Sequence, residues 1–129
     1  MIRIILLGPP GSGKGTQADL ICKKFLICHI STGEILRQAI LKNTLIGIQA
    51  KHAIESGQLV PDDIIMNLVK ESIASSPCAN GFLLDGFPRN LSQAELLQKH
   101  EKFIDFIIYL KIADEIIIER LSGRRYILL

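Results

Sequence analysis

Ile2-Arg3-Ile4-Ile5-Leu6-Leu7-Gly8-Pro9-Pro10-Gly11-Ser12-Gly13-Lys14-Gly15-Thr16 carries more information than any other stretch of this chain. Ile2 to Leu7 is an apolar run with the pattern of a parallel strand covered on both faces. It stops at Gly8, and a helix is predicted from near Gly13 to about Lys24. Between the two, Gly8 to Lys14 matches G-x-x-x-x-G-K. Glycines let successive backbone N–H groups turn inward around phosphate oxygens, where side chains would block the approach. The helix start adds unpaired N–H groups and the positive end of its dipole. Lys14 adds a flexible charge long enough to reach a terminal phosphate. Gly11, Ser12, Gly13, Lys14, Gly15 and Thr16 are therefore candidate phosphate binders. The string alone arises by accident in roughly one chain in thirty of this length, so its strand–turn–helix setting carries the assignment.

The surroundings bound the function. The chain has 129 residues, with 15 Lys+Arg against 13 Asp+Glu and a mean hydropathy of +0.31, enough for one domain with one core. Hydrophobic residues at 48% exclude a disordered chain. A charge of +2 argues against a general nucleic-acid binder, and no apolar run approaches the length of a membrane span. The opening run is too short for a secretory core and leads into glycines, so a cytoplasmic protein is expected. Cys22, Cys28 and Cys78 are odd in number and lack a C-x-x-C pair, and are expected as buried, reduced thiols. His29, His52 and His100 are scattered singly and receive no ligand role. Gly15 stands where GTPases and motor ATPases place their magnesium-ligating hydroxyl, which weakens those assignments.

Strand and helix signals then alternate. Ile27 to Ile30 is predicted as a second strand, and Ser31 with Glu34 has capping-box spacing for a helix to about Lys42. Leu45 to Ser56 is predicted helical with Gly57 as its stop, and Pro61-Asp62-Asp63 opens a helix running to about Ser75. Phe82 to Leu84 is a buried-strand signal, Asn90 is placed to cap a helix through Gln98, and Phe106 to Leu110 is a fourth strand. A last helix is predicted from Asp114 to Leu121, stopped by Gly123. Strands alternating with helices and no hairpin signals imply an α/β protein with a parallel sheet.

Two further strings follow the first in order: Ser31-Thr32-Gly33, and Asp85-Gly86-Phe87-Pro88-Arg89. Asp85 ends an apolar strand, where a carboxylate can meet Mg²⁺ through water beside a phosphate loop. Arg37 and Arg89 fall just past strand ends, and their planar forks suit a monophosphate. Together with Gly8-x-Pro10-Gly11-x-Gly13-Lys14-Gly15-Thr16 these strings resemble the successive signatures of the adenylate kinases, over nearly the whole chain to about Arg125.

The resemblance implies a P-loop NTPase-type parallel sheet covered by helices, with four of the family's five strands and a helical acceptor-binding insert at about residues 31–73. It implies that Thr32, Gly33, Arg37, the Gln58-Leu59-Val60 backbone and Gly86-Phe87-Pro88-Arg89 hold AMP, with Gln93 reading the adenine. A cis Phe87-Pro88 bond, and ATP contacts from Arg120 and Arg124, come from the same resemblance. The implied reaction moves the terminal phosphoryl group of Mg·ATP to AMP, with Lys14, Arg89, Arg120 and Arg124 stabilising the charge. A UMP/CMP kinase and a nucleotide-binding module without turnover are the alternatives. In the family a lid, a long helix, a fifth strand and a closing helix follow Arg125, where this sequence reads Tyr126-Ile127-Leu128-Leu129. The expectation is thus a core without its lid, monomeric in the full-length family but open to self-association at this length.

Overall fold

The computed structural model describes residues 1–9, 11–101, 103–111, 113 and 115. In chain order these form β1 (Ile2–Leu7), α1 (Lys14–Phe25), β2 (Cys28–Ser31), α2 (Thr32–Leu41), α3 (Leu45–Glu55), α4 (Asp62–Ile73), β3 (Gly81–Asp85), α5 (Leu91–His100) and β4 (Phe106–Tyr109). A 3-10 turn at Ser76–Cys78, which no local signal had marked, leads from α4 into β3. Of the helix predicted over 114–121 only Glu115 is described, and Pro10, Arg120 and Arg124 lie outside the described residues.

The four strands make one all-parallel sheet in the order β2-β3-β1-β4, the α/β arrangement that the alternation of signals required. Register follows from burial on both faces. On one side Ile5, Ile30, Phe82 and Leu84 pack with Met66 and Val69 of α4 and Leu97 of α5. On the other, Ile4, Leu6 and Leu83 pack with Ala18 and Cys22 of α1. Alternate residues of one apolar run thus serve two cores, which is why β1 and β3 show no polar–apolar alternation. In β4, Phe106, Ile107 and Tyr109 are exposed among the described residues.

The helix ends follow local chemistry, with one departure. Thr44 Oγ1 accepts from the Gly47 N–H at 3.0 Å and Asn90 Oδ1 from the Gln93 N–H at 2.8 Å. Ser31 Oγ accepts from the Glu34 N–H only at 3.5 Å. Glu34 does not complete the predicted capping box: its carboxylate takes bonds from Arg37 at 2.8 Å and Gln38 at 3.2 Å instead. Arg37 and Gln38 lie one helical turn beyond Glu34 on the same face, where their donors compete with the backbone N–H it was expected to reach.

The cysteines also depart from expectation. Cys28 and Cys78 form a disulfide, their Cα atoms 5.0 Å apart, while Cys22 is a buried free thiol. The partners are separated by 50 residues, and only the return of the 3-10 turn to the start of β2 brings them within bonding geometry. No helix among the described residues is long and apolar enough to cross a membrane.

Candidate functional site

The connections leaving β1 and β3 set the location. These strands are neighbours, yet α1 packs on one face of the sheet and α5 on the other. Connections that part in this way open a crevice at the C-terminal ends of the strands. Register brings the three motifs to its floor: Leu6 pairs with Asp85, and Ser31 pairs with the same Asp85 from the other side.

A cavity of about 740 Å³ lies there. One wall is the loop after β1, through Gly8, Pro9, Gly11, Gly13, Lys14 and Gly15. Gly11 and Gly13 have φ of 82° and 85°, the left-handed region that glycine occupies without strain. Gly13 caps α1, so the helix starts at Lys14 with its first N–H groups beside the cavity. No acidic residue occupies that first turn to compete for the positive helix end. Ser12 Oγ is enclosed without a hydrogen-bond partner among the described residues. Thr16 is exposed and lies outside the cavity lining.

Facing the loop are Ser31, Gly33 and Arg37 at the start of α2, Asp85, Gly86, Pro88 and Arg89 after β3, and Tyr109 of β4. The two groups are tied through one carbonyl. Gly86 O accepts from Thr32 Oγ1 at 3.2 Å and from Arg89 Nε at 2.7 Å. Gly86 has φ of 85°, and a Cβ on it would lie 3.0 Å from Thr32 Oγ1 and 3.1 Å from an Arg89 terminal nitrogen. The Phe87–Pro88 bond is cis, as the motif's resemblance implied, and the Phe87 ring is fully buried in the core.

Charge is concentrated at Asp85. Lys14 Nζ lies 2.8 Å from Asp85 Oδ1, and His29 Nε2 lies 2.9 Å from Oδ2. The other ring nitrogen of His29 meets Asp19 Oδ1 of α1 at 3.2 Å. Hydrogen bonding from His29, then the Lys14 ammonium, holds the Asp85 carboxyl below its usual range. Hydrogen bonding to Asp85, aided by Asp19 against the cost of burial, raises His29. Two carboxylates facing both ring nitrogens are satisfied only by the doubly protonated ring. His29 is thus part of the site, although its isolation in sequence had given it no role. The missed signal was a lone polar side chain two residues before Ser31, on the same face of the strand.

Among the described residues Asp85 is the one carboxylate on the cavity wall, and no cluster of three metal-binding side chains occurs. With both oxygens already bonded to cationic groups, Asp85 fits an ion held through water better than one bound directly. That suits Mg²⁺, which keeps several waters and takes its other ligands from phosphates.

The remaining predicted residues are distributed unevenly. Arg37 and Arg89 line the cavity; Arg37 is exposed and paired with Glu34, while Arg89 has no carboxylate partner among the described residues. Gln58, Leu59, Val60, Phe87 and Gln93 lie outside the lining, and Leu59 is 93% exposed. Gln93 is buried next to the Arg89 backbone, its amide accepting from the Arg89 N–H and donating to Asp62. The protein-family model described as adenylate kinase matches residues 6–126 of the chain.

Proposed function

The chain belongs to the adenylate kinase family, a kinase family of nucleotide substrates, and from that membership we propose that it moves the terminal phosphoryl group of Mg·ATP to AMP, giving two ADP. The observation that carries this reading is the single cavity shared by the phosphate loop and the Asp85–Arg89 turn, with the Lys14–Asp85 pair at 2.8 Å between them. One wall suits the polyphosphate of a donor, and the other offers Arg37 and Arg89 to an acceptor phosphate.

In this reading the loop N–H groups and the start of α1 grip the donor phosphates, and Lys14 leaves Asp85 for the oxygens of the transferring group. Asp85 would hold Mg²⁺ through water; when bound, the ion neutralises charge on the donor's terminal phosphates. Arg37 and Arg89 orient the acceptor so that one of its phosphate oxygens attacks in line. The new P–O bond forms as the bond to the bridging oxygen breaks, and its electron pair leaves with ADP. No general base is required, because the attacking oxygen is already anionic. Positioning and charge stabilisation supply most of the acceleration. Arg120 and Arg124 belong to the proposal as further contacts to ATP and the transferring group. The reaction serves nucleotide homeostasis, and we place it in the cytoplasm.

The test is ADP formation from ATP plus AMP by the full chain, with UMP and CMP as competing acceptors. Turnover with AMP preferred is the expected result. Preference for UMP or CMP would replace the acceptor base, and AMP binding without ADP formation would leave a binding module in place of the kinase.

A further inference from the structure

The Gln93 amide is held at both ends by groups whose hydrogen-bonding sense cannot reverse. The Arg89 backbone N–H donates to its Oε1 at 2.7 Å, and its Nε2 donates to Asp62 Oδ1 at 3.0 Å. A backbone N–H only donates, and an ionised carboxylate only accepts. Asp62 stays ionised here: it sits in the first turn of α4, and bonds from Gln93 and then Ser92 hold its carboxyl below the usual range. The Gln93 backbone is fixed as well, its N–H bonded to Asn90 Oδ1 at 2.8 Å. Flipping the amide would set N–H against N–H and carbonyl against carboxylate, in a side chain that is only 8% exposed.

Each end of the amide retains a second capacity, one more N–H on Nε2 and one more lone pair on Oε1. A freely flipping amide can present these in either order. It would pair equally well with a base edge reading acceptor then amino donor, as adenine does, or N–H donor then carbonyl acceptor, as its 6-oxo counterpart hypoxanthine does. A locked amide pairs with one of them. A monophosphate gripped by Arg37 and Arg89 cannot turn its base over to compensate. We propose that Asp62 is a specificity-determining residue: together with the Arg89 N–H it locks the Gln93 amide, so that the acceptor site takes a 6-amino purine monophosphate and rejects the 6-oxo one. The inference rests on the acceptor reading given under Proposed function, with Gln93 as its base reader as the resemblance to the adenylate kinases implies, and adds to it Asp62 as a positioning residue bonded to that amide. The lock also joins α4, which lies between β2 and β3, to the turn after β3.

The experiment measures equilibrium binding of AMP and IMP to the wild-type chain, to Asp62→Asn and to Asp63→Asn. An asparagine at position 62 can donate or accept, so it permits both amide orientations. Asp63→Asn removes the same charge from the same helical turn and is the control for the helix end. Expected is an AMP:IMP affinity ratio that narrows about tenfold in Asp62→Asn, mainly through better IMP binding, and is unchanged in Asp63→Asn. A purely structural Asp62 would weaken both ligands alike, and an unchanged ratio in Asp62→Asn overturns the inference while leaving the acceptor reading intact. Wild-type chain that binds neither nucleotide overturns both. A second readout needs no variant and no ligand: the Gln93 side-chain NH₂ in the free wild-type chain should exchange with solvent several-fold more slowly than those of exposed glutamines such as Gln17 and Gln58. Solvent exchange as fast as theirs refutes the lock directly.

Discussion

At the scale of single residues, the site depends on Gly86 and Arg89 more than their exposure suggests. The Gly86 carbonyl gathers Thr32 and Arg89, and its φ of 85° excludes a side chain on conformational grounds alone. Gly86→Ala adds a Cβ about 3 Å from both partners. We expect a loss of about 1–2 kcal/mol in urea unfolding, from backbone strain and displaced neighbours, together with weaker AMP binding. Arg89 reaches the cavity from one side only, so Arg89→Ala should weaken AMP binding by about tenfold or more and leave ATP affinity nearly unchanged. Equal losses for the two nucleotides, measured by calorimetry, would contradict its placement on the acceptor wall. Cys22 illustrates the opposite case, a reactive residue type made inert. Burial, then the nearby carboxylates of Asp19 and Asp85, push its thiol up to about 11. The thiolate that alkylating reagents require is scarce near neutral pH.

At the scale of elements, the helix starts are unequal, and the inequality is measurable. Thr44 caps α3 with a bond of 3.0 Å, whereas the Ser31 cap of α2 reaches 3.5 Å and lacks the return bond from Glu34. Thr44→Ala should therefore cost about 1 kcal/mol in urea unfolding and Ser31→Ala a few tenths. The reverse order would show that α2 has a stronger start than its geometry implies. Cap residues, glycine stops and apolar periodicity act within one or two turns of chain, and this is why the bounds of α1 to α5 were legible within a residue or two. The spacing of Ser31 and Glu34 was equally legible, but it could not say which donor Glu34 would choose. That choice depends on rotamers of Arg37 and Gln38, which spacing does not encode.

At the scale of the whole molecule, the Cys28–Cys78 bond ties the start of β2 to the end of the connection that returns to β3. Closing a loop of 50 residues stabilises the fold by about 4 kcal/mol if chain entropy alone operates. Thiol counting in denaturant tests the pairing directly: one reactive thiol is expected before treatment with a dithiol reductant and three after it. Three thiols from the start would restore the reduced state that the cysteine count suggested. With the bond present, reduction should lower the urea midpoint, and an unchanged midpoint would show that the unfolded chain gains nothing from its release.

The sequence by itself determined the order of strands and helices, the phosphate loop and the identity of the motifs. Those features are written in dihedral preferences and apolar spacing over a few residues. The fold class followed, because apolar runs without alternation must be buried on both faces. Only the tertiary structure decided which distant residues meet. His29 reaching Asp85 across 56 positions, Cys28 finding Cys78, and Asp62 gripping the amide of Gln93 all depend on register and on the packing angles of helices. No local pattern carries such contacts, since a slip of one residue in β2 would turn His29 to the other face of the sheet.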